Sequence, residues 1–209
     1  AKIVSVSVMP CTAKKFEVGR DDQSAAGYAD VDISITTREL ARMIKSAGIS
    51  FNSLPDETFD SPLGEGSGAG VIFGATGGVM EAALRTAVEK ITGQTLENVD
   101  FTEVRGMEGV KEATYAVGDL QIKVAVASGT KNAKTLMEQV KNGTSEYQFI
   151  EIMACPGGCI NGGGQPIVPA SVRNFEDYRS KRASVLYTLD KNNENRKSHE
   201  NSAIKRVYD

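Results

Sequence analysis

The sequence holds no tryptophan, a single histidine and three cysteines in 209 residues. Three cysteines in a chain of this length do not make a disulfide framework, and the odd count suits metal ligands with one partner missing. The histidine, His199, sits in a polar stretch from residue 191 to 201 that reads as a solvated linker, so no catalytic histidine is expected. No apolar run approaches the roughly 20 residues that a membrane-spanning helix needs. A net charge of −3 and a pI near 5.4 leave no broad positive field for nucleic acid. The length suffices for one sizeable core.

What is present is concentrated in one segment, Glu151 to Pro166. It carries Cys155 and Cys159, four residues apart, within a run of glycines. Two thiolates at that spacing can grip one face of an iron–sulfur cluster. Glycines let backbone N–H groups approach a sulfide or thiolate closely, because they lack Cβ and tolerate positive φ. A glycine-rich surface loop with two idle cysteines is the plainer alternative. Cys11 follows the apolar run Ile3 to Val8, read as a buried strand, and so lies where a strand gives way to a loop. A lone buried thiol is the alternative there. Lys14, three residues on, favours a thiolate.

Hydrophobic periodicity alternates between strand and helix from end to end. Strands are predicted at Val4 to Val8, Val31 to Ile35, Val71 to Phe73, Phe101 to Arg105, Glu112 to Val117, Leu120 to Val126 and Phe149 to Met153, the last one buried. Thr36 and Glu39 predict a capping box for a helix carrying Leu40, Met43, Ile44 and Ala47, stopped by Gly48. Further helices are predicted with Met80, Leu84, Ala87 and Ile91 before Gly93, from about Asn132 to Gly143, from about Asn174 through Leu189, and as a last turn or two from Ala203. Residues 51 to 70 read as a long loop. The class is α/β, helices layered on sheets.

Other motifs are weaker. Gly64 to Ala69 loosely fits a dinucleotide fingerprint but precedes a predicted strand, where the fingerprint should open a helix. Gly74 to Gly78 precedes a helix and reads as a tight turn; an anion site is the alternative. Met9, Met153 and Phe73 are core residues by default. Glu17 and Glu151 read as structural ion-pair or hydrogen-bonding residues.

Met9 to Glu17 and Glu151 to Pro166 together resemble two signature loops of the iron-only hydrogenases. The family's second loop reads Met-Pro-Cys-x-x-Lys-x-x-Glu. The third reads Glu-x-Met-x-Cys-x-x-x-Cys-x-x-Gly-Gly-Gly-Gln-Pro. Thr36 to Ala41, Phe59 to Gly64 and Phe73 to Ala83 are similar to the family too, so the resemblance covers nearly the whole chain. The family's first loop, Thr-Ser-Cys-Cys-Pro-x-Trp, has no counterpart, since neither a Cys-Cys pair nor a tryptophan occurs. The expectation is a C-terminal portion of the cluster-binding domain, a fragment of a longer chain that is inactive by itself.

The resemblance implies two similar α/β lobes with small mixed or parallel sheets and a cluster in the cleft between them. It implies reversible reduction of protons to dihydrogen at an H-cluster, a 4Fe-4S cube bridged to a di-iron subcluster. Cys11, Cys155 and Cys159 are implied ligands of the cube, with Cys159 bridging. Lys14 is implied to hydrogen-bond a cyanide on iron, with Met9, Met153 and Phe73 as walls and Pro10, Ala13, Gly163 and Gln165 as further cofactor-binding positions. Implied partners are the missing N-terminal part, a ferredoxin or NAD(P)H-linked subunit as electron donor, and hydrogenase maturation proteins; nucleic acid is not among them. The compartment implied is the cytoplasm, with the periplasm as alternative. The rival reading is a non-catalytic, hydrogenase-like iron–sulfur assembly protein. A self-contained electron-transfer module would need four cysteine ligands, and there are three.

Overall fold

A computed structural model describes residues 3–58, 60 and 66–208. In chain order the elements are β1 (Val6–Met9), α1 (Lys14–Glu17), β2 (Ile33–Thr36), α2 (Thr37–Ser46), α3 (Gly68–Ile72), α4 (Gly78–Thr92), β3 (Val110–Val117), β4 (Leu120–Ser128), α5 (Thr130–Lys141), β5 (Phe149–Met153), α6 (Ala170–Arg173), α7 (Tyr178–Lys191) and α8 (Ser202–Tyr208). The class is α/β as expected. Two compact units form, one from residues 1–57 and 161–175, the other from 58–160 and 176–209. Part of the stretch similar to the hydrogenases at Phe59 to Gly64, and part of the glycine fingerprint at Gly64 to Ala69, lie outside the described residues.

In the first unit β1 and β2 pair in parallel, Val6 opposite Ile33 and Met9 opposite Thr36. The strand at Ile3 to Val8 is not buried as predicted: Ile3 is 82% exposed, and Val6, Val8 and Ile33 are exposed as well. The covered face is the other one. Ser34 and Thr36 are buried there, and Ser7 Oγ meets Ser34 Oγ at 3.0 Å. A one-residue offset in facing decides this, because successive side chains point to opposite sides of a strand. The capping box of α2 forms as predicted: the Glu39 N–H donates to Thr36 Oγ1 at 3.2 Å and the Thr36 N–H to Glu39 Oε2 at 2.8 Å. Hydrogen bonds from Thr36, with Lys15 at 2.9 Å, hold the Glu39 carboxyl at about 2. Gly48, at φ 71°, follows the helix end.

In the second unit β4 is the central strand, antiparallel to β3 and parallel to β5. Its alternation serves two cores. Val124 and Val126 pack with Met80 and Leu84 of α4, while Ala125 and Ala127 pack with Leu136 of α5. Helices therefore cover both faces, and each fully buried valine contributes about 1.5–3 kcal/mol. β5 is an edge strand, as is β3, and Phe149 and Ile152 are exposed, which corrects the prediction that it is buried.

Four further predictions are corrected in this unit. Val71 to Phe73 is not a strand; it ends α3, whose N-cap Ser67 accepts from the Gly70 N–H at 3.2 Å. A Cβ on Gly68 would lie 2.1 Å from Asp190 Oδ1, so close packing against α7 fixes a helix where propensity argues against one. Phe101 to Arg105 is not a strand but holds a 3-10 turn, Thr102–Val104, that buries Val104 completely. The helix predicted from Asn174 starts at Tyr178, capped by Asp177, and leaves Phe175 84% exposed. Residues 192–201 are not a solvated linker. Lys197 and Asn201 are buried, Lys197 Nζ lies 2.6 Å from Glu89, and His199 Nε2 lies 2.7 Å from the same carboxylate. Charge pairing with α4 outweighs the polar composition. The last helix, α8, forms as expected.

Candidate metal centre

In the first unit β1 delivers Met9 to a turn that carries Pro10 and the half-buried Cys11. The triple glycine of the third signature loop is bound onto this turn. The Gly164 N–H donates to the Pro10 carbonyl at 3.0 Å, and the Arg38 N–H donates to the Gly164 carbonyl at 3.2 Å. Arg38 Nη2 donates to the Gly163 carbonyl at 2.8 Å. A Cβ on Gly164 would come within 3.0 Å of the Pro10 carbon and the Cys11 nitrogen, which explains glycine there. Gln165 closes a turn with its N–H on the Gly162 carbonyl at 3.1 Å. Ala13 is the N-cap of α1, where Lys14 Nζ donates to Glu17 Oε1 at 2.6 Å. Met9, Lys14 and Glu17 line one concavity with Val18 and Val31.

In the second unit β5 ends at Met153, whose carbonyl accepts from the Gly129 N–H at 2.7 Å. The following loop carries Cys155 and Cys159, both half-buried. Gly157 and Gly158 have φ of 83° and 100°, a backbone that L residues rarely adopt. The loop is fastened on several sides. The Gly158 N–H donates to the Cys155 carbonyl at 2.9 Å, the Gly157 N–H to Ser128 Oγ at 2.7 Å, the Thr76 N–H to the Gly157 carbonyl at 3.2 Å, and the Ile160 N–H to the Gly74 carbonyl at 3.0 Å. A Cβ on Gly158 would lie 2.6 Å from both Gly74 O and Thr76 N. Phe73 is the C-cap of α3 just before this turn and is 45% exposed.

Glu151 explains the glycine turn at 74–78. Its carboxylate accepts from the N–H groups of Gly77 at 2.7 Å and Met80 at 2.6 Å, filling the N-terminus of α4 with an anion from the chain itself. Burial raises its carboxyl above the ordinary range, against those two hydrogen bonds. Glu151 and Glu17 are thus hydrogen-bonding and ion-pair residues, as read from the sequence. Ser128, Lys111 and Asn161 were not foreseen. The Asn161 amide, two residues past Cys159, is buried with neither its nitrogen nor its oxygen hydrogen-bonded among the described residues. Its place inside the signature loop was the one available signal. Ser128 and Lys111 lie far from the loop in sequence and carried none.

The donor set suits an iron–sulfur cluster. Soft thiolates stand on hydrogen-bonded loops, no disulfide is formed among the described residues, and an orphaned amide lies two residues past Cys159 in the chain. Among the described residues one other group could hold a cation, Glu89 with His199 and Glu200, but Lys197 Nζ already sits 2.6 Å and 3.0 Å from the two carboxylates. No helix among the described residues is long and apolar enough to cross a membrane.

The model of the iron-only hydrogenase large subunit, C-terminal domain, matches residues 1–163, and that of the iron hydrogenase small subunit matches residues 176–209. The chain is 53% identical over 208 residues to the NADP-reducing hydrogenase subunit HndD of Solidesulfovibrio fructosivorans, covering 100% of this chain and 35% of that protein. It is 48% identical over 206 residues to iron hydrogenase 1 of Clostridium pasteurianum, covering 99% and 36%. A solved FeFe-hydrogenase variant from Chlamydomonas reinhardtii superposes with a TM-score of 0.72 at 39% identity, covering 98% of this chain and 58% of that one. Cytosolic iron-sulfur assembly component 3 of Mus musculus is 33% identical over 173 residues, covering 80% and 36%. The chain spans about a third of the length of these curated relatives. With both signature loops folded as described and the family model matched over most of its length, the chain belongs to the iron-only hydrogenase family, as its C-terminal domain.

Proposed function

We propose that the chain serves the reversible reduction of protons to dihydrogen, as part of a hydrogenase that binds an H-cluster. The observation that carries this reading is the Cys155–Cys159 loop. It is held by left-handed glycines and by hydrogen bonds to Ser128, Thr76 and Gly74, and it sits in a sequence that completes the family's third signature. When bound, the cluster would supply the electron transfer and proton reduction.

Each named residue then has a task of its own. The thiolates of Cys11, Cys155 and Cys159 would hold the iron. The Asn161 amide, without a partner among the described residues, would donate to anionic sulfur, a known lever on cluster potential. Lys14 would offer an ammonium to an anionic iron ligand, and Glu17, which accepts a hydrogen bond from it, orients it. Met9, Met153 and Phe73 supply soft or apolar surface that excludes water. Pro10, Ala13, Gly163 and Gln165 shape the backbone around these groups. The electron donor is proposed to be a ferredoxin or an NAD(P)H-linked subunit, as the name of the Solidesulfovibrio relative suggests by analogy. The cytoplasm is the proposed compartment, with the periplasm as alternative; one relative 54% identical over 168 residues is named as periplasmic.

The iron–sulfur assembly reading is the rival, supported by the 33% identical relatives. The complete Met-Pro-Cys-x-x-Lys-x-x-Glu and Glu-x-Met-x-Cys loops and the higher identity to hydrogenases favour the enzyme. The test is hydrogen evolution from reduced viologen by the protein at its native length, expressed with hydrogenase maturation proteins. Evolution that is lost in Cys159→Ala supports the enzyme. A protein that holds a 4Fe-4S cluster yet evolves no hydrogen supports the assembly role.

A further inference from the structure

Lys111 points from β3 into the interior of the second unit and is 5% exposed. Its Nζ donates to the Thr76 carbonyl at 3.1 Å, the Gly106 carbonyl at 3.0 Å and Thr76 Oγ1 at 3.4 Å. None of these acceptors is a carboxylate. Glu151 and Glu108 act on the ammonium through space, and burial pulls its pKa down to about 8. An ammonium kept inside on neutral acceptors is costly, and an apolar side chain of similar length would avoid the cost.

Its principal acceptor is the link to the cysteines. Thr76, whose carbonyl and hydroxyl receive the ammonium, donates its own N–H to the Gly157 carbonyl at 3.2 Å. Gly74 in the same turn accepts from the Ile160 N–H at 3.0 Å. A Cβ on Gly77 would lie 3.4 Å from Lys111 Nζ and 1.9 Å from the Val104 carbonyl oxygen, so the turn packs closely against Val104 beside the ammonium. The 74–77 turn is therefore gripped by the ammonium on one side and carries the Cys155–Cys159 loop on the other.

We propose that Lys111 is a positioning residue for the Cys155–Cys159 loop, fixing the turn on which that loop rests and placing a buried positive charge behind it. The positioning role holds for the metal-free chain. The effect of the charge on a bound cluster rests on the hydrogenase reading. A cation near an iron–sulfur cluster favours the more negative, reduced state and so raises the midpoint potential.

The experiment uses the protein at native length, as wild type, Lys111→Met and Lys111→Arg. In the iron-free form, amide hydrogen exchange reads local opening. The Thr76, Gly158 and Ile160 amides are expected to exchange about tenfold faster in Lys111→Met, with β4 amides unchanged and protection restored in Lys111→Arg. In the iron-loaded form, a redox titration followed by electron paramagnetic resonance is expected to give a lower midpoint in Lys111→Met. A tenfold shift of the one-electron equilibrium is about 59 mV, and Lys111→Arg should recover it. Unchanged exchange at the three amides, or equal acceleration throughout β4, overturns the assignment. Lys111→Gln replaces Lys111→Met if the latter does not fold; failure of both would make Lys111 a determinant of the whole fold and overturn the assignment too. Local loosening in a protein that takes up no cluster would leave the positioning role standing and sink the hydrogenase reading instead.

Discussion

Gly158 is the residue on which the shape of the cysteine loop depends most. With φ at 100°, an added Cβ would stand 2.6 Å from Gly74 O and Thr76 N, so no side chain fits without moving the loop. Gly158→Ala is expected to lower stability by about 1–3 kcal/mol, the range for a strained backbone site, and to cut iron uptake; urea denaturation and iron analysis check both. Arg85 is the second such residue. It is fully buried, with Nη1 and Nη2 each 2.8 Å from an Asp190 oxygen and Nη2 also 2.8 Å from Glu81 Oε1. Arg85→Leu leaves two buried carboxylates without this partner and is expected to cost about 3–5 kcal/mol, read as a lowered urea midpoint. Nothing in the sequence pointed to this cluster. Glu81 and Arg85 fall one turn apart on α4, which reads as an ordinary exposed pair, and only the packing of α7 turns it inward.

Among the elements, the segment after α7 is tied to α4 by charge. Lys197 and His199 both contact Glu89, and Thr86 Oγ1 lies 3.0 Å from His199 Nδ1. The Lys197 hydrogen bond, then the Leu96 N–H, hold the Glu89 carboxyl down to about 2 from an ordinary 4.5. A carboxyl depressed in the folded state adds stability that is fully present above its unfolded value and is lost as protons bind. The Glu89 contribution should therefore fade as pH drops from about 4.5 toward 2. Lys197→Met should flatten that part of the stability–pH curve, measured by urea midpoints; a curve unchanged from wild type would contradict it. Elements with strong local signals were legible in the sequence. Thr36 and Glu39 formed their capping box, Gly93 and Gly143 stopped their helices, and the alternation of β4 was plain. Those that failed were decided at a distance. The glycine-rich α3 is helical because Gly68 admits Asp190, and the serine face of β2 is buried because of what covers that side of the sheet.

For the molecule as a whole, the α/β class and the residues of the two signature loops were legible in the sequence, and the supports of those loops were not. Loop chemistry is written in contiguous residues, so Cys11, Cys155 and Cys159 and their flanking glycines could be read directly. Their supports could not, since Ser128 and Thr76 reach the Cys155–Cys159 loop, and Lys111 reaches Thr76, only through folding. The central claim is that these three thiolates are iron ligands. The most direct measurement is the iron bound per chain, with the low-temperature electron paramagnetic resonance spectrum of the reduced protein, for the native-length wild type and for Cys11→Ala, Cys155→Ala and Cys159→Ala. Each substitution is predicted to lower the iron content and to abolish or alter the cluster signal. Wild-type iron and an unchanged spectrum in any one of the three variants would contradict the account.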